Sequence, residues 1–363
     1  MKEPRCYSSF KEGAPVCEAC YVSAACASAT VSFQPYTPAP RRHVWTRGRL
    51  RCEGYRLALS LYSGQLFRFG RDMDGWWKGI AYGVAIRLRQ DGEVLHYTVS
   101  SPRVKTYAGQ MDAQTFLRWF LRLDERPRTR VARGDRILGT ARRKMAGFRF
   151  VRQDPYECTI SYILSVQARV ALTKQRINHL ARLLGTALEV EGERYWTFPE
   201  APCLSRLDEA YYRHLRFGWR SKFLPISVRL AADTVETNGE MDLEGWRDFV
   251  DRLKAVPNSG VGLKVGKCID LFSLERLGAV PVDTWVRKMA ADWYGQEGSD
   301  AQLCRWAEER GGKMAGYLSE YLFAYYRELH APALEDRALS FATSEATSAE
   351  LPVESVASVE AES

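Results

Sequence analysis

The feature that most constrains the fold is a change of hydrophobic period along the chain. From about residue 43 to 104 apolar and polar residues alternate, in YRLALSLY, QLFRFGR, WWKGIAYGVAIRLRQ and EVLHYTV, with Asp74-Gly75 and Asp91-Gly92 between runs. Alternation interrupted by Asp-Gly turns predicts an antiparallel sheet. AQTFLRWFLRL then reads as an amphipathic helix. From about Asp135 to His330 the apolar residues recur every three or four positions, in DRILGTARRKMAG, PYECTISYILSVQARVALTKQRINHLARLLG, SRLDEAYYRHL, SKFLPISVRLAADTV, LEGWRDFVDRLKAV and VGKCIDLFSLERLG. That is the helical period. A sheet followed by a block of helices predicts the α+β class: a β subdomain over residues 41–134 and a helical one over 135–330.

The two ends differ from this body. Residues 1–40 hold Cys6, Cys17, Cys20 and Cys26 and then become a Ser/Thr/Pro-rich linker. Residues 331–363 carry seven acidic side chains and one basic one, are poor in aromatics, and are expected to be disordered. The whole chain has a net charge of +8, so without that tail of −6 the first 330 residues carry +14. A basic body suits a polyanionic partner, although charge alone is weak evidence for one. No apolar run approaches the roughly 20 residues that span a bilayer. The opening MKEPRCYSSF lacks the apolar stretch of a secretory leader, and nine cysteines is an odd number. The expectation is a cytoplasmic protein without a disulfide framework, nuclear if the source has a nucleus.

The chemistry is concentrated in VPNSGVGLKVGKCIDLFSLERLGAVPVDTWV, residues 256–286. The Gly-Val-Gly turn at Gly260–Gly262 leads into an apolar helix bearing Lys264. Such a turn lets backbone N–H groups approach a phosphate at a helix N-terminus. Lys264 and Cys268, four apart, share a helix face. Asp283 follows the lysine by nineteen residues. Each element alone is commonplace: Gly-x-Gly often precedes a helix, and an Asp after Pro-Val is more often a cap than a catalyst. The order of turn, lysine, short helix and Val-Asp is what carries weight.

This segment resembles the helix-hairpin-helix and Gly/Pro-Asp loop of base-excision DNA glycosylases, and closely the 8-oxoguanine DNA glycosylase branch. SGQLFRF at Ser63–Phe69, RQDPYECTISYILS at Arg152–Ser165 and LRFGWRSKFL at Leu215–Leu224 resemble three further motifs of that branch, in the same order, and the resemblance covers about residues 50 to 328. It implies an N-terminal antiparallel β-sheet subdomain packed on an all-helical helix-hairpin-helix glycosylase domain. It further implies a bifunctional glycosylase/lyase that flips oxidised purines out of double-stranded DNA, with Lys264 as nucleophile and Asp283 as its acidic partner.

By the same resemblance, Cys268 and Phe323 sandwich the extruded purine and the backbone carbonyl of Gly64 accepts the N7 hydrogen of an oxidised guanine. Trp219 fills the vacated stack and Arg220 hydrogen-bonds the orphaned base. To act at neutral pH an attacking lysine must be desolvated or opposed by charge.

The chain departs from the branch at several places. Gln167 and Leu172 stand where an Asn and an Arg meet the opposite cytosine, so opposite-base discrimination is expected to be loose. Ser319 replaces a Gln that reads the Watson–Crick edge, and Trp285 replaces a His that touches phosphate. Pro257-Asn258-Ser259-Gly260 makes a longer hairpin than usual. Two alternatives stay open: a glycosylase of this fold for other damaged purines, and a non-catalytic DNA-binding member. No cofactor is required for the chemistry. The C-x10-C-x2-C-x5-C spacing of the N-terminal cysteines suits a 4Fe-4S cluster, a structural zinc or free thiols. Monomeric action on DNA, away from membranes, is expected.

Overall fold

The computed structural model describes residues 41–63 and 66–330. The N-terminal cysteines Cys6, Cys17, Cys20 and Cys26, the candidate Gly64 and the acidic tail lie outside the described residues. Within them the chain is α+β, as the two periods require.

A five-stranded antiparallel sheet has the order β2-β6-β5-β4-β3, with β2 at Thr46–Arg51, β3 at Phe69–Arg71, β4 at Trp77–Ala81, β5 at Val84–Asp91 and β6 at Val94–Val99. The Asp-Gly signals sit where expected: Gly75 and Gly92 have φ of 81° and 56°, between β3 and β4 and between β5 and β6. Leu50, Ile86, Leu88, Leu95 and Val99 are buried on one face, against Phe116, Leu117 and Phe120. The latter three belong to the helix α2, Ala113–Phe120. WWKGIAYGVAIRLRQ is split into β4 and β5 by Tyr82 and Gly83, both at positive φ.

Two stretches differ from the periodic reading. Leu57–Tyr62, which alternates, forms the short helix α1. The run LALSLY satisfies period two and four-residue spacing alike. Burial of Leu57, Ser60 and Leu61 together, with Gln90 Oε1 accepting from Leu57 N at 2.7 Å, decides for the helix. Second, the helical block is not purely helical. ALEVEGERYW folds into a hairpin, β9 at Ala187–Val190 and β10 at Glu193–Trp196, turned by Glu191 and Gly192 at positive φ. A first strand, β1 at Arg41–His43, pairs with β9 in parallel.

The remaining elements are β7 (Arg103–Thr106), β8 (Gly109–Asp112) and the helices α3 (Arg136–Lys144), α4 (Pro155–Ser165), α5 (Val170–Leu184), α6 (Ala201–Leu204) and α7 (Glu209–His214). A 3-10 turn at Gly218–Lys222 precedes α8 (Leu224–Asn238), α9 (Leu243–Ala255), α10 (Leu263–Ser273), α11 (Thr284–Tyr294), α12 (Asp300–Gly311) and α13 (Ala315–His330).

Charged side chains tie the halves together. Arg122, 1 % exposed, donates to Glu275 at 2.5 Å and Glu125 at 3.1 Å, and Arg152 lies 3.4 Å from the same Glu275. Among the described residues no helix is long and apolar enough to cross a membrane.

Candidate active site

α10 is fixed before any chemistry is considered. Its Asp270 is buried and receives Lys254 of α9 at 2.8 Å and Arg276 at 2.8 Å, clamping the two hairpin helices together. The connecting turn is specified by backbone shape. Asn258 and Gly260 have φ of 59° and 80°, and a Cβ on Gly260 would stand 2.9 Å from Phe223 and 3.1 Å from Ile163. Ser227 Oγ donates to the Ser259 carbonyl at 2.6 Å. Gly262 is the N-cap of α10 with no side-chain cap, exposed, and with open space around it. The free N–H groups of the first turn therefore face outward, where the helix dipole favours an anion.

Lys264 is the second residue of α10. It is half-buried, its Nζ lies 5.9 Å from the ring centre of Tyr162, and it forms no ion pair among the described residues. Asp283 opens α11: its Oδ1 accepts from the N–H groups of Trp285 and Val286, both at 2.9 Å. The cap and the candidate catalyst are thus the same residue.

Both side chains line one cleft of about 1820 Å³ between the sheet subdomain and the helices. Gln167, Gly260, Gly262, Cys268, Trp285, Ser319 and Phe323 line it too. Cys268 is 3 % exposed, and burial pushes its thiol up to about 12 although Lys264 pulls the other way, so it packs as a neutral group. Phe323 comes from α13, which lies close because Gly316 has no side chain: a Cβ there would stand 2.7 Å from the Leu277 carbonyl and 2.9 Å from that of Ala279.

Trp219 and Arg220 lie apart from this cleft, and they differ from one another. Trp219 is 40 % exposed, edge-on to Phe223 at 5.6 Å. Arg220 is 5 % exposed, and donates to the carbonyls of Val166 at 2.6 Å and Gln167 at 3.0 Å. Through these two bonds Arg220 holds the loop between α4 and α5. Gln167, on that loop, is exposed with φ of 49°, and Leu172 is 41 % exposed.

Sequence reasoning missed Glu320, Arg327 and Tyr162, which also line the cleft. Phe323 on α13 carried the available signal, since Glu320 and Arg327, three and four positions from it, share its helix face. It missed as well the basic residues Lys174 and Arg182 of α5 and Arg169 at its N-cap, on the same wall.

Residues 50–159 match the family described as 8-oxoguanine DNA glycosylase, N-terminal domain. The chain thus carries a segment similar to the N-terminal domain of 8-oxoguanine DNA glycosylases. Among similar proteins, an N-glycosylase/DNA lyase of Arabidopsis thaliana is 28 % identical over 285 residues, 74 % of this chain and 76 % of that one. A probable N-glycosylase/DNA lyase of Methanothermobacter thermautotrophicus is 28 % identical over 200 residues, 49 % of this chain, and the match spans only 62 % of the relative's length. The fold is shared with the Clostridium acetobutylicum 8-oxoguanine glycosylase/lyase in complex with dsDNA containing cytosine opposite 8-oxoG. There the TM-score is 0.63 at 25 % identity, covering 78 % of this chain and 98 % of that one.

Proposed function

We propose that the chain is a bifunctional DNA glycosylase and abasic-site lyase that excises 8-oxoguanine-type purines from duplex DNA in base excision repair. The observation that carries this is the meeting of an unpaired lysine and a helix-capping carboxylate in one cleft, directly behind a glycine turn. A base within the stack is unreachable, so the nucleotide must rotate into the cleft. The bare N-terminus of α10 grips the phosphate backbone, with Gly260 and Gly262 permitting close approach. Trp219, a large aromatic presented to solvent, enters the vacated stack. Gln167 and Leu172 face the opposite base, and Arg220 positions the loop that carries Gln167. Trp285 lines the strand's path at the start of α11.

In the cleft the purine lies between Cys268 and Phe323, with Ser319 at its edge. Lys264, as the neutral amine, attacks C1′ of the deoxyribose. The C1′–N9 bond breaks and its electron pair leaves with the base. Asp283 stabilises the cationic sugar and takes up the proton lost by the amine. Opening of the sugar ring gives a Schiff base at Nζ, which permits β-elimination of the 3′ phosphate. The reaction needs no cofactor. Cys6, Cys17, Cys20 and Cys26 we assign to a separate soft-metal site, iron–sulfur or zinc, distinguished by the visible absorbance of a cluster. The enzyme acts as a monomer, in the compartment that holds the DNA.

The test is incubation with duplexes carrying 8-oxoguanine or guanine at one position. Release of the oxidised base with strand nicking, and none from the guanine duplex, is expected. No release of any oxidised purine would leave a DNA-binding module.

A further inference from the structure

Glu320 lies on α13 between Ser319 and Phe323 and lines the cleft with both. It is 9 % exposed, its Oε1 is shut off from solvent without a hydrogen-bond partner, and it enters no ion pair among the described residues. Buried acids are ordinarily satisfied within the protein, so an unmatched one on a cleft wall points to a ligand. The groups facing it are Asp283 at the start of α11, Cys268 on α10 with Lys264 beyond it, Tyr162 on α4, and Arg327 two turns along its own helix. Arg327 lies over the ring of Phe323, 5.3 Å from its centre, rather than in a pair with Glu320. Burial pushes the Glu320 carboxyl up to about 8; Arg327 works against the rise and the charge of Asp283 adds to it.

We propose that Glu320, as a neutral carboxylic acid, is a specificity-determining residue of the base pocket, its hydroxyl donating to one edge atom of the extruded purine while its carbonyl accepts from the neighbouring one. This rests on the glycosylase reading above. A neutral carboxylic acid offers one donor and one acceptor side by side. A purine edge with adjacent donor and acceptor, such as N1–H beside O6, matches that pattern. A carboxylate offers acceptors alone and would oppose O6. Ser319, its neighbour on α13, lines the same cleft.

The experiment measures single-turnover excision of 8-oxoguanine by the full-length wild type, Glu320→Ala and Glu320→Gln across neutral to alkaline pH. Borohydride trapping on an abasic duplex runs alongside. Glu320→Ala is expected to slow excision at least about tenfold more than it slows abasic trapping, because only the base-bearing substrate loses the contact. Glu320→Gln, which keeps a donor beside an acceptor, recovers most of that difference. Wild-type excision falls as pH rises through about 8, and Glu320→Gln removes the fall. Equal loss of both activities in both variants would make Glu320 a packing residue and overturn the proposal. So would a Glu320→Gln as slow as Glu320→Ala with wild-type excision rising through that pH, the mark of a working carboxylate. If the wild type traps abasic DNA yet releases no 8-oxoguanine, the substrate reading itself fails and takes this one with it.

Discussion

Lys264 is the second residue of α10 and Asp283 is the N-cap of α11, so the amine and the carboxylate stand at the N-termini of successive helices on one cleft wall. A helix N-terminus stabilises an anion. One oxygen of Asp283 is committed to the cap, which fixes the carboxylate without a dedicated partner.

This double duty separates two substitutions at residue 283. Asn caps about as well as Asp, so Asp283→Asn should leave thermal stability within about 0.5 kcal/mol while lowering excision by about 10²-fold or more. Asp283→Ala should lose the same activity and about 1 kcal/mol of stability besides. Melting curves and single-turnover rates check both.

The hairpin glycines should respond differently to alanine. Gly260→Ala places a Cβ 2.9 Å from Phe223 at a φ of 80°, and should lose roughly 1–3 kcal/mol of stability together with DNA affinity. Gly262→Ala meets nothing within 4 Å and should cost at most about 1 kcal/mol through the weaker cap. Denaturant melts of the two variants, with binding to a lesion duplex, decide it.

Opposite-base preference should be shallow. Leu172 is exposed and has no donor, and Arg220 is turned inward onto Val166 and Gln167. Changing the opposite base among the four should alter excision by less than about tenfold, roughly 1.4 kcal/mol. Leu172→Arg should sharpen a preference for cytosine.

Glu320 also gives the fold a pH signature. Its carboxyl titrates near 8 in the native chain against 4.5 as the ordinary value, so the native state binds the extra proton between them. The stability it contributes is full below about pH 4.5 and is lost as pH rises through about 8. Wild type should therefore lose more stability than Glu320→Gln between those limits, measured by denaturant melts at each pH.

The periodicity made the two-part α+β plan legible, since Asp74-Gly75 and Asp91-Gly92 mark turns that hairpins favour. It did not distinguish helix from strand in LALSLY, where both spacings coexist and tertiary burial decides. The run from Pro155 to Gly185 reads as continuous helix. It breaks at Val166–Arg169 without Gly or Pro, held open by the buried Arg220. Lys264, Cys268 and Asp283, which line one cleft, stand out in the sequence because their order and spacing are unusual together. Glu320 was not, because an acid on an amphipathic helix looks like surface until the neighbouring helices bury it.

The central claim is that the Lys264 amine bonds to the sugar. The most direct measurement is borohydride reduction during reaction with an 8-oxoguanine duplex, followed by mass spectrometry of the proteolysed adduct. The account predicts a single deoxyribose-linked peptide modified at Lys264, absent from Lys264→Gln. An adduct on another residue, or undiminished trapping by Lys264→Gln, would contradict it.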